Sequence, residues 1–258
     1  MPFEIHTTPG ADVQPGATAG CWRLEIPPGP AGQYRLAQLD NYTKVARRSF
    51  PHAPPRTLHL RARVSAANLP GTWGFGWWND PFSLSLGFGG GVRRLPALPN
   101  AAWFFFASPQ NYLSFREDKP AQNFLAQTFC SPHLPVSLLS FGALAFPLML
   151  IPPVARIMRS ALRRVVREDS FAIGVDMTQW HEYRLDWRET GVTFQVDGQI
   201  FKTDLSPTPP LGTVIWIDNQ FAAFHPSGKL SYGTLAYRQS AWLEVEMVHR
   251  GVGDQDRA

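Results

Sequence analysis

Two acids stand where this sequence could do proton chemistry. Asp80 lies in the run Trp77-Trp78-Asn79-Asp80-Pro81, and Asp218 in Trp216-Ile217-Asp218-Asn219-Gln220. An aspartic acid lodged among aromatic rings loses hydration, so its pKa rises and it can donate a proton as a general acid. The same two runs are also turn chemistry, in which the carboxylate ends a strand by accepting backbone N–H bonds. Both uses are open from the residues alone. Of the histidines, His181 opens an alternating segment and reads as a core or rim residue. His225 sits in the loop-like run Phe-His-Pro-Ser-Gly (224–228). No spacing of His, Cys, Asp or Glu matches a metal centre, and no motif indicates a cofactor.

The second feature with chemical content is the aromatic set. The chain holds 18 Phe, 9 Trp and 6 Tyr, while only 17% of its residues are charged, so aromatic contacts must dominate any site it carries. Trp73, Trp77, Trp78, Trp103, Phe105 and Trp216 are candidate lining for a binding face, with Asn79, Tyr112, Asn219 and Gln220 as its polar complement. Alternation along a strand sends half of any such set inward, and the register is not readable from composition. Sugar sites stack rings on pyranoses and surround them with carboxylates and amides. Here that complement is thin, which favours an apolar or lipid-like small molecule.

The elements that position these residues are strands. Leu58, Leu60, Ala62 and Val64 alternate with His59, Arg61 and Arg63, and His181, Tyr183, Leu185 and Trp187 alternate with Glu182, Arg184 and Asp186. Phe82, Leu84, Leu86 and Phe88 alternate likewise with Ser83, Ser85 and Gly87. The run VTFQVDGQIF (192–201) is a strand, an Asp197-Gly198 turn and a return strand. Roughly a dozen such strands predict an all-β domain of two packed antiparallel sheets, about five to seven strands each, spanning residues 1–258.

One segment breaks the rhythm. Between Pro120 and Ala155 there is no Asp, Glu, Lys or Arg, and residues 120–169 read as an insertion with helix confined mainly to 134–168. Pro135, Pro147, Pro152 and Pro153 leave only Val136–Phe146 uninterrupted. Eleven helical residues span about 16 Å against a bilayer core of about 30 Å, so a membrane span is excluded. After it, Val154, Ile157, Met158, Ala161, Leu162 and Val165 fall at helical spacing, with Arg156, Arg159, Arg163, Arg164 and Arg167 read as the opposite face. Those five arginines exceed the whole formal charge of +4, so the basicity is a local patch. It suits an anionic membrane surface, or solvent if the insertion is a plug. Nucleic acid is not expected, since no RNA-binding signature or zinc spacing accompanies the patch. The opening residues MPFEIHTTPGADV have no basic or apolar leader pattern, and Cys21 and Cys130 read as free thiols. Together they predict a cytoplasmic protein, peripheral to the membrane if the patch docks.

The stretches GTWGFGWWNDPF (71–82) and WHEYRLDWRETGVTFQVDGQIF (180–201), followed by LGTVIWIDNQFA (211–222), resemble glycoside hydrolase family 16. That family belongs to the concanavalin A-like lectin/glucanase jelly rolls. The resemblance covers about 100 residues and implies a jelly-roll sandwich with its site on a concave sheet. It also implies a strand of the form Glu-x-Asp-x-x-Glu between the first two stretches, carrying nucleophile and acid/base. The strand in that place is AAWFFFAS (101–108), and no Asp or Glu occurs from Phe82 to Arg116. Family 16 hydrolysis is therefore not expected. Three readings follow: a non-hydrolytic protein binding an apolar molecule in an aromatic pocket under the insertion; a divergent enzyme (a glycosidase, or an acid-catalysed isomerase or hydratase) using Asp80 or Asp218; and a carbohydrate-binding or peripheral membrane protein.

Overall fold

The structure is a computed structural model that describes residues 2–16, 18–81, 94–95, 97–134, 148 and 150–248. Two seven-stranded antiparallel sheets account for most of it. The first runs, edge to edge, β1 (Glu4–Thr7), β4 (Leu36–Asp40), β13 (Gly212–Asp218), β6 (Thr72–Trp78), β7 (Ala101–Ala107), β8 (Asn123–Cys130) and β9 (Arg167–Ala172). The second runs β12 (Gln199–Thr203), β11 (Gly191–Val196), β10 (His181–Arg188), β5 (Arg56–Val64), β16 (Ala241–Met247), β3 (Cys21–Ile26) and β2 (Asp12–Pro15). A short ribbon, β14 (Gln220–Phe224) with β15 (Leu230–Thr234), follows the first sheet. This is the two-sheet sandwich that the alternation predicts.

The core lies between the sheets and is built from the inward half of each strand. Leu58, Leu60, Ala62 and Val64 of β5, with Tyr183, Leu185 and Trp187 of β10, face Trp73, Phe75 and Trp77 of β6 and Phe104 and Phe106 of β7. Phe104 touches Tyr183 (5.1 Å between ring centres), Phe194 (5.4 Å) and Phe75 (5.5 Å), and Trp77 meets Trp187 at 5.7 Å. Each such pair adds about 1 kcal/mol beyond its buried area. The Asp197-Gly198 turn has positive φ at both residues, as a two-residue hairpin loop requires, and it pairs Val196 directly with Gln199.

Between β8 and β9 the segment that leaves the sandwich is shorter than the sequence suggests. Residues 123–130 and 167–172 belong to the first sheet, so the excursion is 131–166. Its helix, α1 (Pro152–Val165), starts on two prolines, tolerated there because the first turn has no N–H partners to lose. The strand expected at 82–88 and the apolar run 135–147 lie outside the described residues.

The helix is also rotated from the orientation its apolar spacing suggests. Ala155 and Arg159 are its buried residues, Leu162 packs beside Phe129 and Val166, and Ile157 is 72% exposed. The cause is Arg159, which the sequence assigns to the solvent-facing basic set. Its guanidinium donates to the carbonyls of Phe224 and Arg116 and lies over the Tyr112 ring at 5.1 Å. Arg167 is not on the helix but opens β9, where it donates to Cys130 Sγ at 3.3 Å. Among the described residues no helix is long and apolar enough to cross a membrane, and Cys21 and Cys130 are free thiols.

Candidate functional site

The outer face of the first sheet collects the aromatic residues that the core does not use. Strand β7 sends Ala102, Phe104 and Phe106 inward, so Ala101, Trp103, Phe105 and Ala107 face out. Register then fixes the rows across the sheet. Gln38, Trp216, Gly74, Phe105 and Leu125 form one row, and Asp40, Val214, Gly76, Trp103 and Gln127 the next. A third contains Gly212, Trp78, Ala101, Phe129 and Glu168.

The glycines of β6 allow these rings to lie flat. A Cβ on Gly74 would stand 2.8 Å from Trp216 Cη2 and closer still to the Phe104 carbonyl, and one on Gly76 would stand 2.6 Å from Trp103 Cβ. With nothing in the way, Trp103 packs on Phe105 (5.2 Å between centres) and Trp216 (5.5 Å), while Trp78 lies parallel to Trp216 at 6.4 Å. The indole N–H groups of Trp103 and Trp216 turn back into the protein. Trp103 Nε1 donates to Gln127 Oε1 at 3.1 Å, and Gln127 Nε2 to Glu168 Oε1 at 3.3 Å. Trp216 Nε1 donates to Thr72 Oγ1 at 3.0 Å, and that hydroxyl donates to Asp218 Oδ1 at 2.7 Å.

The sequence candidates divide accordingly. Trp78, Trp103, Phe105 and Trp216 come together on this floor. Trp73 and Trp77, expected as lining, are buried in the core instead, because alternation turns them inward. Asn79 and Asn219 are buried turn residues whose hydrogen bonds are spent on backbone. Asn79 joins Leu98 O and Asn100 N; Asn219 joins Arg35 N, Gln33 O and Leu235 O. The Tyr112 hydroxyl donates to Arg116 O (3.0 Å) beneath α1, and Gln220 begins the β14–β15 ribbon. Asn219 and Tyr112 are not presented on the floor as ligand groups, while Asn79 lines the cavity described below.

Asp80 is held in a buried ion pair. Arg94 Nη1 lies 2.5 Å from its Oδ2, and the same guanidinium donates to the carbonyls of Tyr42, Thr43 and Val45 at 2.9 Å each. Burial raises the Asp80 pKa, while Arg94 and then Arg47 pull it down. Through Arg94 this acid ties the loop after β6 to the loop after β4.

Asp218 is different. It is buried beside Trp216 and accepts from Thr72 Oγ1, Thr72 N (3.3 Å), Gln220 N (3.3 Å) and the Tyr34 hydroxyl (3.3 Å). Desolvation outweighs those bonds and pushes its pKa to about 7. A carboxyl in that state can hold or release a proton near neutrality. Asp80 is not a carboxyl partner for it of the kind glycosidases use. Asp218 pairs with Thr72 at one end of β6 and Asp80 follows the other end, so at about 3.3 Å per residue the two stand about 26 Å apart. A retaining pair needs about 5 Å.

Gln127 and Glu168 are the site residues that sequence reasoning missed. Glu168 Oε2 accepts Phe115 N at 2.8 Å, and burial raises its pKa against the pull of its hydrogen bonds. Gln127 was legible in principle, as the lone amide in the apolar run FLAQTF (124–129). Glu168 was not, because nothing local joins it to the floor. A cavity of about 380 Å³ opens at the Trp78 end, walled by Ala97, Leu98, Pro132, Leu134 and Pro210, with Arg48 and His133 among its polar residues. Leu98 and Leu134 also pack with Trp78 and Trp103, so the two leucines stand between the floor and the cavity. Among the described residues no cluster of side chains could hold a metal ion.

No protein-family profile matches the chain, and no curated protein sequence is recognisably similar to it. Among solved structures it is similar to a glycoside hydrolase family 16 endo-glucanase from Bacteroides ovatus. That match has 10% identity over 96% of this chain and 94% of the other, at a TM-score of 0.46. It is also similar to a glycoside hydrolase family protein from Mycobacterium thermorestibile (12% identity, 88% and 76%, TM-score 0.43). A third match is the laminarinase catalytic domain from Thermotoga maritima (11% identity, 94% and 81%, TM-score 0.41). The chain itself is an antiparallel two-sheet sandwich.

Proposed function

We propose that the protein is a non-hydrolytic binding protein for an apolar small molecule, held against Trp78 and Trp103 and extending into the cavity beside Leu98 and Leu134. One observation carries this reading. The indole N–H groups of Trp103 and Trp216 are bonded inward, and with Phe105 and Trp216 themselves buried it is Trp78 and Trp103, half-buried, that offer ring faces to a ligand. A sugar needs hydrogen bonds to its hydroxyls, whereas a hydrocarbon or ring system needs only faces. The neighbouring cavity has apolar walls in Ala97, Leu98, Pro132, Leu134 and Pro210, with Arg47, Arg48 and His133 available to a polar end group. The outward residues of β7 are Ala101, Trp103, Phe105 and Ala107, which supply no nucleophile and no acid.

The test is tryptophan fluorescence titrated with palmitate, farnesol and laminarihexaose, alongside native mass spectrometry of the protein as purified. Saturable response to an apolar probe, weakened at least tenfold by Trp103→Ala, is expected, with no hydrolysis of β-glucan. Saturable laminarihexaose binding that palmitate and farnesol do not compete would overturn the reading. A second reading is favoured by Asp218 alone: a carboxyl with pKa about 7 beside Trp216 suits acid catalysis. Turnover of a glycan or polyene that Asp218→Asn abolishes would establish it.

A further inference from the structure

We propose that the outward side of α1, with the turn leading into it, is a docking surface for an anionic lipid bilayer. Arg159 sets the geometry. Its two carbonyl partners fix the rotation of the helix, and Ile157, two residues earlier, is turned about 200° away. Ile157 is therefore aimed straight out from the sandwich. In the turn just before the helix Leu150 is 67% exposed, Leu148 52% and Ile151 50%, so four large apolar side chains on this part of the chain meet solvent. A protein rarely leaves such a group bare unless it enters something.

Charge identifies what it enters. Arg156 and Arg164 are exposed on the same helix, Arg163 is answered by Glu117 at 2.9 Å, and residues 152–165 contain no acid. Exposed Lys229 adds a third free charge near the start of α1, because Gly228 packs so closely on the Pro152 carbonyl that a Cβ there would collide with it. Apolar side chains flanked by arginine, on a helix too short to span, form an interfacial helix that lies in the headgroup plane. The four include no aromatic anchor of the kind that dominates protein interfaces. Complementarity is with a negative lipid surface.

The whole chain should co-sediment at low salt with vesicles of phosphatidylcholine and phosphatidylserine. Binding to phosphatidylcholine alone should be at least about tenfold weaker, and raised salt should release the protein. Ile157→Ser combined with Leu150→Ser should remove binding while circular dichroism and the unfolding midpoint stay unchanged, since both side chains are exposed. Arg156→Gln with Arg164→Gln should weaken binding and flatten its salt dependence. The proposal fails if the wild type stays in the supernatant with anionic vesicles, or if the serine variant binds as well as the wild type. It fails equally if the wild type ignores vesicles but forms a concentration-dependent dimer that the serine variant disrupts, which would make these residues a self-association surface.

Discussion

Replacing Asp218 with asparagine isolates the energetic consequence of burying a carboxyl behind Trp216. In the folded chain its pKa is pushed to about 7, against an ordinary value of 3.8. Below pH 3.8 both folded and unfolded chains carry the proton, and the contribution of this group is fully present. Between 3.8 and about 7 the unfolded chain has released the proton while the folded chain still holds it, so folding takes up a proton and stability falls as pH rises. Above 7 both states are ionised and the loss is complete. About three pH units at about 1.4 kcal/mol each make this loss about 4 kcal/mol, a large share of the 5–15 kcal/mol typical of a domain. Asparagine keeps the shape and carries no charge at any pH. Urea unfolding of both proteins across about pH 4 to 8 should show the variant gaining on the wild type by about 4 kcal/mol as pH rises. Asp80 and Glu168, whose pKa values burial also raises, are present in both proteins and cancel in the difference. A difference that stays flat with pH would show that Asp218 is ionised or solvated in the folded protein, and the acid-catalysis reading would lose its basis.

Two further substitutions test the structural reasoning. Arg159→Met removes the donors to Phe224 O and Arg116 O and should cost about 2–5 kcal/mol, read as faster amide exchange over 152–165 with the sandwich still protected. Gly74→Ala would press a methyl against Trp216 and should cost about 1–3 kcal/mol, with a shift in tryptophan emission; an unshifted spectrum at wild-type stability would mean Trp216 does not lie across β6.

The sandwich was legible in the sequence because most strands of the second sheet have one wet face. In β5 and β10 polar and apolar residues alternate strictly, so sidedness follows from the pattern. In β6 and β7 the pattern is silent, since Thr72–Trp78 and Ala101–Ala107 are apolar on both faces. That is why Trp73 and Trp77 could not be told from Trp78 and Trp103 until pairing fixed the register. Arg159 was illegible for another reason. Its partners lie 43 and 65 residues away, and two distant carbonyls outweighed a local apolar arc in setting the helix rotation. The Trp103–Gln127–Glu168 chain likewise exists only across three adjacent strands.

The strand order also dictates when this chain can fold as it is synthesised. In the first sheet β13, residues 212–218, is wedged between β4 and β6; in the second, β16, residues 241–247, is wedged between β3 and β5. Until those two strands emerge, β1 and β4 have no bond to the rest of their sheet, and neither do β2 and β3 to theirs. More than 170 residues separate β4 from the strand that joins it to β6, so closure is a long-range event with a slow search. For most of translation Leu36, Leu39, Leu24 and Ile26, all buried in the finished protein, stand on unpaired edges. Such apolar edges, open until the joining strands are made, are the surfaces on which incomplete chains aggregate. A chain ending before residue 212 would leave both sheets split in two, whereas one ending between 218 and 241 would leave only the second split.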